Sequence, residues 1–130
     1  MSAIALSTPA YSAGDIVVVP FPSSVGAEPK RRPAVIFAVV AYGTHSDYIV
    51  CLITSQVAPD PIQLALTQAD LADGTLSLQS YLRPAYLYTA SEKLIARRIG
   101  ALAPAHLIEA VDAIIQLIRP QPPLLPGITL

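Results

Sequence analysis

Pro33-Ala34-Val35-Ile36-Phe37-Ala38-Val39-Val40 is a nearly continuous apolar run rich in β-branched residues. A run of this length and composition reads as a strand covered on both faces, so the chain is committed to a sheet with this segment near its centre. Tyr42-Gly43-Thr44-His45-Ser46-Asp47 supplies turn residues, and Tyr48 to Thr54 returns as a further strand. Residues 33 to 54 therefore read as a long hairpin. Upstream, Gly14 leads into a strand from Asp15 to about Val19. Pro20 and Pro22 lack ladder donors and place its far end at a sheet edge or strand terminus. Ser23 to Pro29 is loop by composition.

Beyond the hairpin, Pro59 and Pro61 break the pattern before a short strand, Ile62 to Leu66. Thr67 to Leu71 reads as a single helical turn that Gly74 ends. Leu76 to Arg83 is the next extended piece, limited by Pro84, and Tyr86-Leu87-Tyr88 continues toward a turn at Ser91-Glu92. Ile95 to Ile99 closes the β part before Gly100. A regular succession of short strands with turn signals points to a small barrel. The one helix is Pro104 to about Ile118, where Leu107, Ile108, Val111, Ile114, Ile115 and Ile118 recur at three- and four-residue spacing. Pro104 fits the first helical position and Pro120 prevents continuation. A proline-rich tail follows.

At 130 residues the chain is one domain with a single core. Apolar residues make up 53% and charged residues 13%, which leaves apolar surface over for a partner. No stretch approaches the roughly 18 uncharged apolar residues of a membrane span. The first thirteen residues lack both Lys and Arg and a sustained apolar stretch, so they read as a flexible extension and not a secretory signal. Cys51 is the single cysteine, which excludes an internal disulfide and fits a reducing cytoplasm. Within its apolar strand it reads as a packed thiol.

The net charge is −1, yet seven of the eight Lys and Arg residues fall in two windows. Lys30, Arg31 and Arg32 precede the central strand; Arg83, Lys93, Arg97 and Arg98 form the second group. Pro33 biases Arg32 toward extended backbone and so fixes its guanidinium at a strand entrance, an arrangement suited to phosphate. A solvated charge cluster capping an edge strand is the competing reading. Thr54-Ser55-Gln56 ends the strand opposite with three hydrogen-bonding side chains, and the hairpin brings Thr54 beside Arg32. Ordinary strand-end chemistry would also account for that triplet. His45 in a turn and His106 in the first helical turn read as solvent-exposed imidazoles, too few and too badly placed for two-histidine catalysis. The acids are too scattered for a metal site.

Gly14 to Phe21, Lys30 to Ile36, Cys51 to Gln56, Ser80 to Pro84 and Lys93 to Leu102, taken in order, resemble the successive blocks of the MazF/PemK/Kid-type toxins. These are the ribonuclease halves of type II toxin–antitoxin pairs. The similarity covers about residues 14 to 118. It implies a mainly β fold, an SH3-like β-barrel of antiparallel strands with a C-terminal helix. It also implies a homodimer, a cognate antitoxin protein as partner, and sequence-specific cleavage of single-stranded RNA without metal or other cofactor.

Arg32 matches the family's catalytic arginine and Thr54 the threonine that ends the third strand. Lys30, Arg31, Ser55, Gln56 and Arg83 are the expected RNA contacts. The chain divides accordingly into an extension (1–13), a toxin domain (14–119) and a tail (120–130). Pro20, the Phe21-Pro22 exit, the low overall basicity and the tail depart from the family pattern. Two alternatives share the fold: a gyrase-poisoning toxin and a catalytically silent SH3-like binding module. The first relies on a C-terminal tryptophan, and this chain has none. The second relies on aromatic grooves, and only 6% of the chain is aromatic.

Overall fold

The computed structural model describes residues 8–21, 28–56 and 62–120. Residues 22–27, 57–61 and 121–130 lie outside them, and with them most of the first loop, Pro59 and Pro61, and nearly all of the tail; so do residues 1–7 of the extension. In chain order the elements are β1 (Asp15–Phe21), β2 (Lys30–Ala41), β3 (Ser46–Thr54), β4 (Leu64–Leu66), β5 (Leu71–Gly74), β6 (Ser80–Ser91), β7 (Arg97–Leu102) and α1 (Pro104–Ile118). Single 3-10 turns at Gln68–Asp70 and Glu92–Leu94 precede β5 and β7.

All seven strands form one antiparallel sheet in the order β4-β6-β3-β2-β1-β7-β5. The apolar run occupies β2, fourth of seven, and its residues Ala34, Val35 and Ile36 are fully buried. The sheet cannot be flat. Five strand spacings separate β5 from β6, about 24 Å in a plane. The connection from Gly74 to Ser80 spans at most about 21 Å when fully extended. The sheet therefore curls into a half-barrel, and residues 75–79 bridge its open end.

Curling gives the sheet two buried faces. Val17, Val19, Ala34, Ile36, Val50 and Leu52 pack on one, closed by Tyr11, Tyr88 and Ile95. Ile16, Val35, Cys51, Ile53 and Leu82 pack on the other, under Leu107 and Ala110 of α1. The end of the expected N-terminal extension is held on the first face. Tyr11 meets Tyr48 edge to face at 5.7 Å, and the Ala10 N–H donates to Glu92 at 2.9 Å. Helix α1 has the expected bounds. Its apolar stripe is wider than its contact, for Ala110 and Ile114 are buried while Ile108, Ile115 and Ile118 remain exposed.

Several boundaries differ from the sequence-based expectation, each for a local reason. Pro84 does not limit β6, because the strand bulges away from β3 at that point and needs no ladder donor there. β7 runs through Gly100 because β5, an unexpected strand, pairs closely against it. A Cβ on Gly100 would stand 2.7 Å from the Asp73 carbonyl oxygen, so only glycine allows this crossing. Leu76 to Gln79 lies outside any strand, since it spends its length crossing the barrel mouth.

Candidate functional site

Pro33 opens the sheet where the cations lie. The Ile36 carbonyl accepts the Gly14 N–H at 2.7 Å, so the backbone of Ile36 faces the β1 side. Alternation turns Val35 and Pro33 toward β3. Proline has no N–H to give, and the β2–β3 ladder ends at Ala34 opposite Leu52. Continuing that register by two residues sets Thr54 opposite Arg32, on strands no longer joined. A pocket of about 440 Å³ opens at this point. Pro20 sits at the matching end of β1. Its nitrogen faces the β7 side, whose pairing has already stopped at Val18 opposite Arg97.

The pocket gathers most of the expected residues. Lys30, Arg31, Arg32, Thr54 and Ser55 all line it. Arg32 is half-buried and held in β2 opposite Val19, whereas Lys30 and Arg31 are exposed. Among the described residues the lining includes three cations and no carboxylate or imidazole. Among the described residues none of these cations has an ion-pair partner. Arg98 is the contrast: its guanidinium pairs with Asp73 at 2.7 Å and Asp15 at 3.0 Å, and these bonds raise its pKa further. Thr54 is oriented as well. Its Oγ1 accepts the Gln56 N–H at 3.2 Å, which leaves its own hydroxyl proton to donate elsewhere.

Two expected contacts fall outside the pocket. Gln56 contributes its backbone to Thr54, and its carbonyl accepts the Gln63 amide at 3.2 Å. Arg83 lies over the Tyr86 ring, 3.8 Å from its centroid. Conversely, Thr75, Ser77, Leu78 and Ser80 form the wall facing the cations and were not anticipated. Their alternation of polar and apolar residues reads locally as a strand, and only the strand order reveals that they bridge the barrel mouth.

Cys51, His45 and His106 do not line the pocket. Cys51 is buried, its thiol donating to the Arg83 carbonyl at 3.1 Å. His45 stacks on Tyr42 at the exposed β2–β3 turn. His106 is not the exposed imidazole its position implied: it is half-buried between Asp70 and Glu109, with Nδ1 3.2 Å from the Glu109 carboxylate. Burial works against the charge of Asp70, but the Thr67 N–H at 2.7 Å and His106 outweigh it and hold that carboxyl below the usual range. Among the described residues no three His, Cys, Asp or Glu side chains gather to hold a metal ion. No helix among them is long and apolar enough to cross a membrane.

A family model described as PemK-like, MazF-like toxin of type II toxin–antitoxin system matches residues 12–118. Solved structures share the fold at low identity. An endoribonuclease from Mycobacterial species, in complex with its cognate antitoxin, is 19% identical with a TM-score of 0.61, over 87% of this chain and 100% of that one. The Mycobacterium tuberculosis toxin MazF-mt6 is 17% identical with a TM-score of 0.58, over 78% and 93%. MazE-MazF (form II) from Deinococcus radiodurans is 15% identical with a TM-score of 0.61, over 85% and 97%. No curated protein sequence matches the chain significantly.

Proposed function

We propose, from the premise that the chain belongs to the PemK-like, MazF-like toxins of type II toxin–antitoxin systems, that it cuts single-stranded RNA at a specific sequence without a metal ion. The observation that carries this reading is the pocket itself: among the described residues, three cations without an ion-pair partner and an oriented threonine hydroxyl surround a space with no lining carboxylate. Such a site attracts a phosphodiester, and its described residues offer no nucleophile with a base beside it. The nucleophile is then the substrate's own 2′-hydroxyl, whose proximity to the adjacent phosphate makes the attack intramolecular.

In this reaction the O2′–P bond forms and the P–O5′ bond breaks. A proton leaves O2′ and one is gained at O5′, so the products are a 2′,3′-cyclic phosphate and a 5′-hydroxyl. Arg32 neutralises the charge developing on the phosphoryl oxygens with its planar fork of donors, and Thr54 adds a neutral hydrogen bond. Lys30, Arg31 and Ser55 draw and seat the backbone, with Gln56 and Arg83 outside the pocket meeting flanking nucleotides. The active form is a homodimer in the cytoplasm, held inactive by a cognate antitoxin. The exposed Ile108, Ile115 and Ile118 supply apolar surface for such a partner.

Induction in cells followed by mapping of new RNA 5′ ends tests the activity: cuts at one short motif are expected, and no new ends would refute it. With purified protein, cleavage should persist in EDTA and stop when the cut-site 2′-hydroxyl is replaced by 2′-O-methyl. Loss in EDTA or cleavage of the modified oligonucleotide would overturn the mechanism. Sedimentation at micromolar concentration should show a dimer.

A further inference from the structure

We propose that Arg83 and Tyr86 form a stacking platform for one nucleobase of single-stranded RNA beside the cleavage pocket, an inference that rests on the ribonuclease reading above. The platform arises from a mismatch in strand length. Leu82 of β6 lies opposite Ile53 of β3, and Leu87 lies opposite Cys51. Five steps along β6 thus match two along β3, and three residues are extra. They bulge out of the sheet.

The bulge is built rather than loose. Pro84 is fully buried beneath it, and the Cys51 thiol donates to the Arg83 carbonyl at 3.1 Å where β6 leaves β3. On this base Tyr86 stands 44% exposed, with the Arg83 guanidinium 3.8 Å from its ring centroid. A cation over one side of an aromatic ring fixes both groups, and the exposed remainder of the pair presents flat π surface. Bases stack on such surfaces with little regard to sequence.

Its location selects the ligand. Thr54 lies opposite Tyr81, so the two side chains share a face of the sheet. Arg83 follows Leu82, the partner of Ile53, so the bulge begins two residues along β6 from the Thr54–Tyr81 pair. The platform therefore flanks Thr54, one strand over from a pocket whose three cations attract a polyanion. A strand of RNA with its phosphate in the pocket would carry a neighbouring base toward Tyr86.

The test uses the full chain and a 2′-O-methyl copy of an RNA oligonucleotide spanning the mapped cut site, with 2-aminopurine placed at each position in turn. Wild type should quench one position flanking the cut. Tyr86→Ala and Tyr86→Leu should abolish that quenching and weaken binding about tenfold, while Tyr86→Phe should retain both. Tyr86→Leu keeps apolar bulk in the bulge and guards against a misfolded alanine variant. If the wild type cuts RNA but no position depends on Tyr86, the platform is wrong and the ribonuclease reading stands. Tyr86 variants that lose only antitoxin binding would overturn the platform in the same way. A wild type that neither cuts nor binds RNA removes both.

Discussion

Arg31 and Arg32 are neighbours in sequence and opposites in the pleat. Arg32 shares a face with Thr54, is half-buried and stands against Val19; Arg31 is exposed at the mouth. Arg32→Ala should therefore lower kcat about a hundredfold or more, the scale of one lost transition-state donor. Arg31→Ala should mainly raise KM. Steady-state kinetics on a cleavable oligonucleotide, with circular dichroism to verify folding, separates the two, and equal losses in kcat would contradict the assignment. Arg32 was legible because a residue before proline has few backbone choices, and Thr54 because the hairpin register is local. Gln56 and Arg83 were assigned to the same site but do not line the pocket. Their directions depend on a turn and a bulge that follow strand ends, where a one-residue change reverses a side chain.

At the scale of elements, Pro33 decides whether the site is open. Replacing it by alanine restores an N–H facing β3, which lets the ladder continue toward Ile53 and narrows the gap between Arg32 and Thr54. Pro33→Ala should lower kcat about tenfold or more through misplaced groups. Stability should change by no more than about 1 kcal/mol, since a gained hydrogen bond offsets lost backbone restriction. Amide exchange should show a new protected proton at position 33; its absence would argue against ladder closure. Helix α1 was legible to the residue because a proline, a 3.6-residue period and a terminal proline all act locally. The short β5 strand was not, since its pairing depends on the remote Gly100.

The tie between the 3-10 turn and α1 sets the acid limit of this arrangement. The Ala103 N–H donates to the Asp70 carbonyl at 2.8 Å, and His106 pairs with the Asp70 carboxylate. A carboxyl whose folded pKa lies below its unfolded value favours folding while ionised. Its contribution is complete above the unfolded value of about 3.9 and fades as pH falls through the folded one. Glu92, lowered by the Tyr48 hydroxyl and then by the Ala10 N–H, shifts in the same direction. Asp70→Asn should thus lower Tm at pH 7, with the deficit narrowing below about pH 4. Thermal unfolding from pH 3 to 7 reads this, and a constant deficit would place the effect in packing rather than charge.

For the whole molecule, a net charge of −1 is at odds with an RNA partner only if charge is taken as an average. Arg98 spends its charge on Asp15 and Asp73 and does not line the pocket, whereas Lys30, Arg31 and Arg32 stand together with no carboxylate among the described lining residues. On the proposed ribonuclease function, attraction of RNA is a local property of three groups, and its salt dependence should count them. Each phosphate neutralised on a single strand contributes about −0.7 to the slope of log K against log salt. Three contacts per pocket give a slope of about −2, shallow beside a strongly basic binder. Lys30→Ala and Arg31→Ala should each make the slope less steep by about 0.7. Arg98→Ala should leave it unchanged, because that guanidinium has no charge to spare for phosphate. Binding of a 2′-O-methyl oligonucleotide by fluorescence anisotropy between 50 and 300 mM salt, on the order of the range where counterion release is resolved, measures all four proteins. A slope that responds to Arg98 as strongly as to Arg31 would mean that RNA is held by the diffuse surface and not by the pocket at the end of β2.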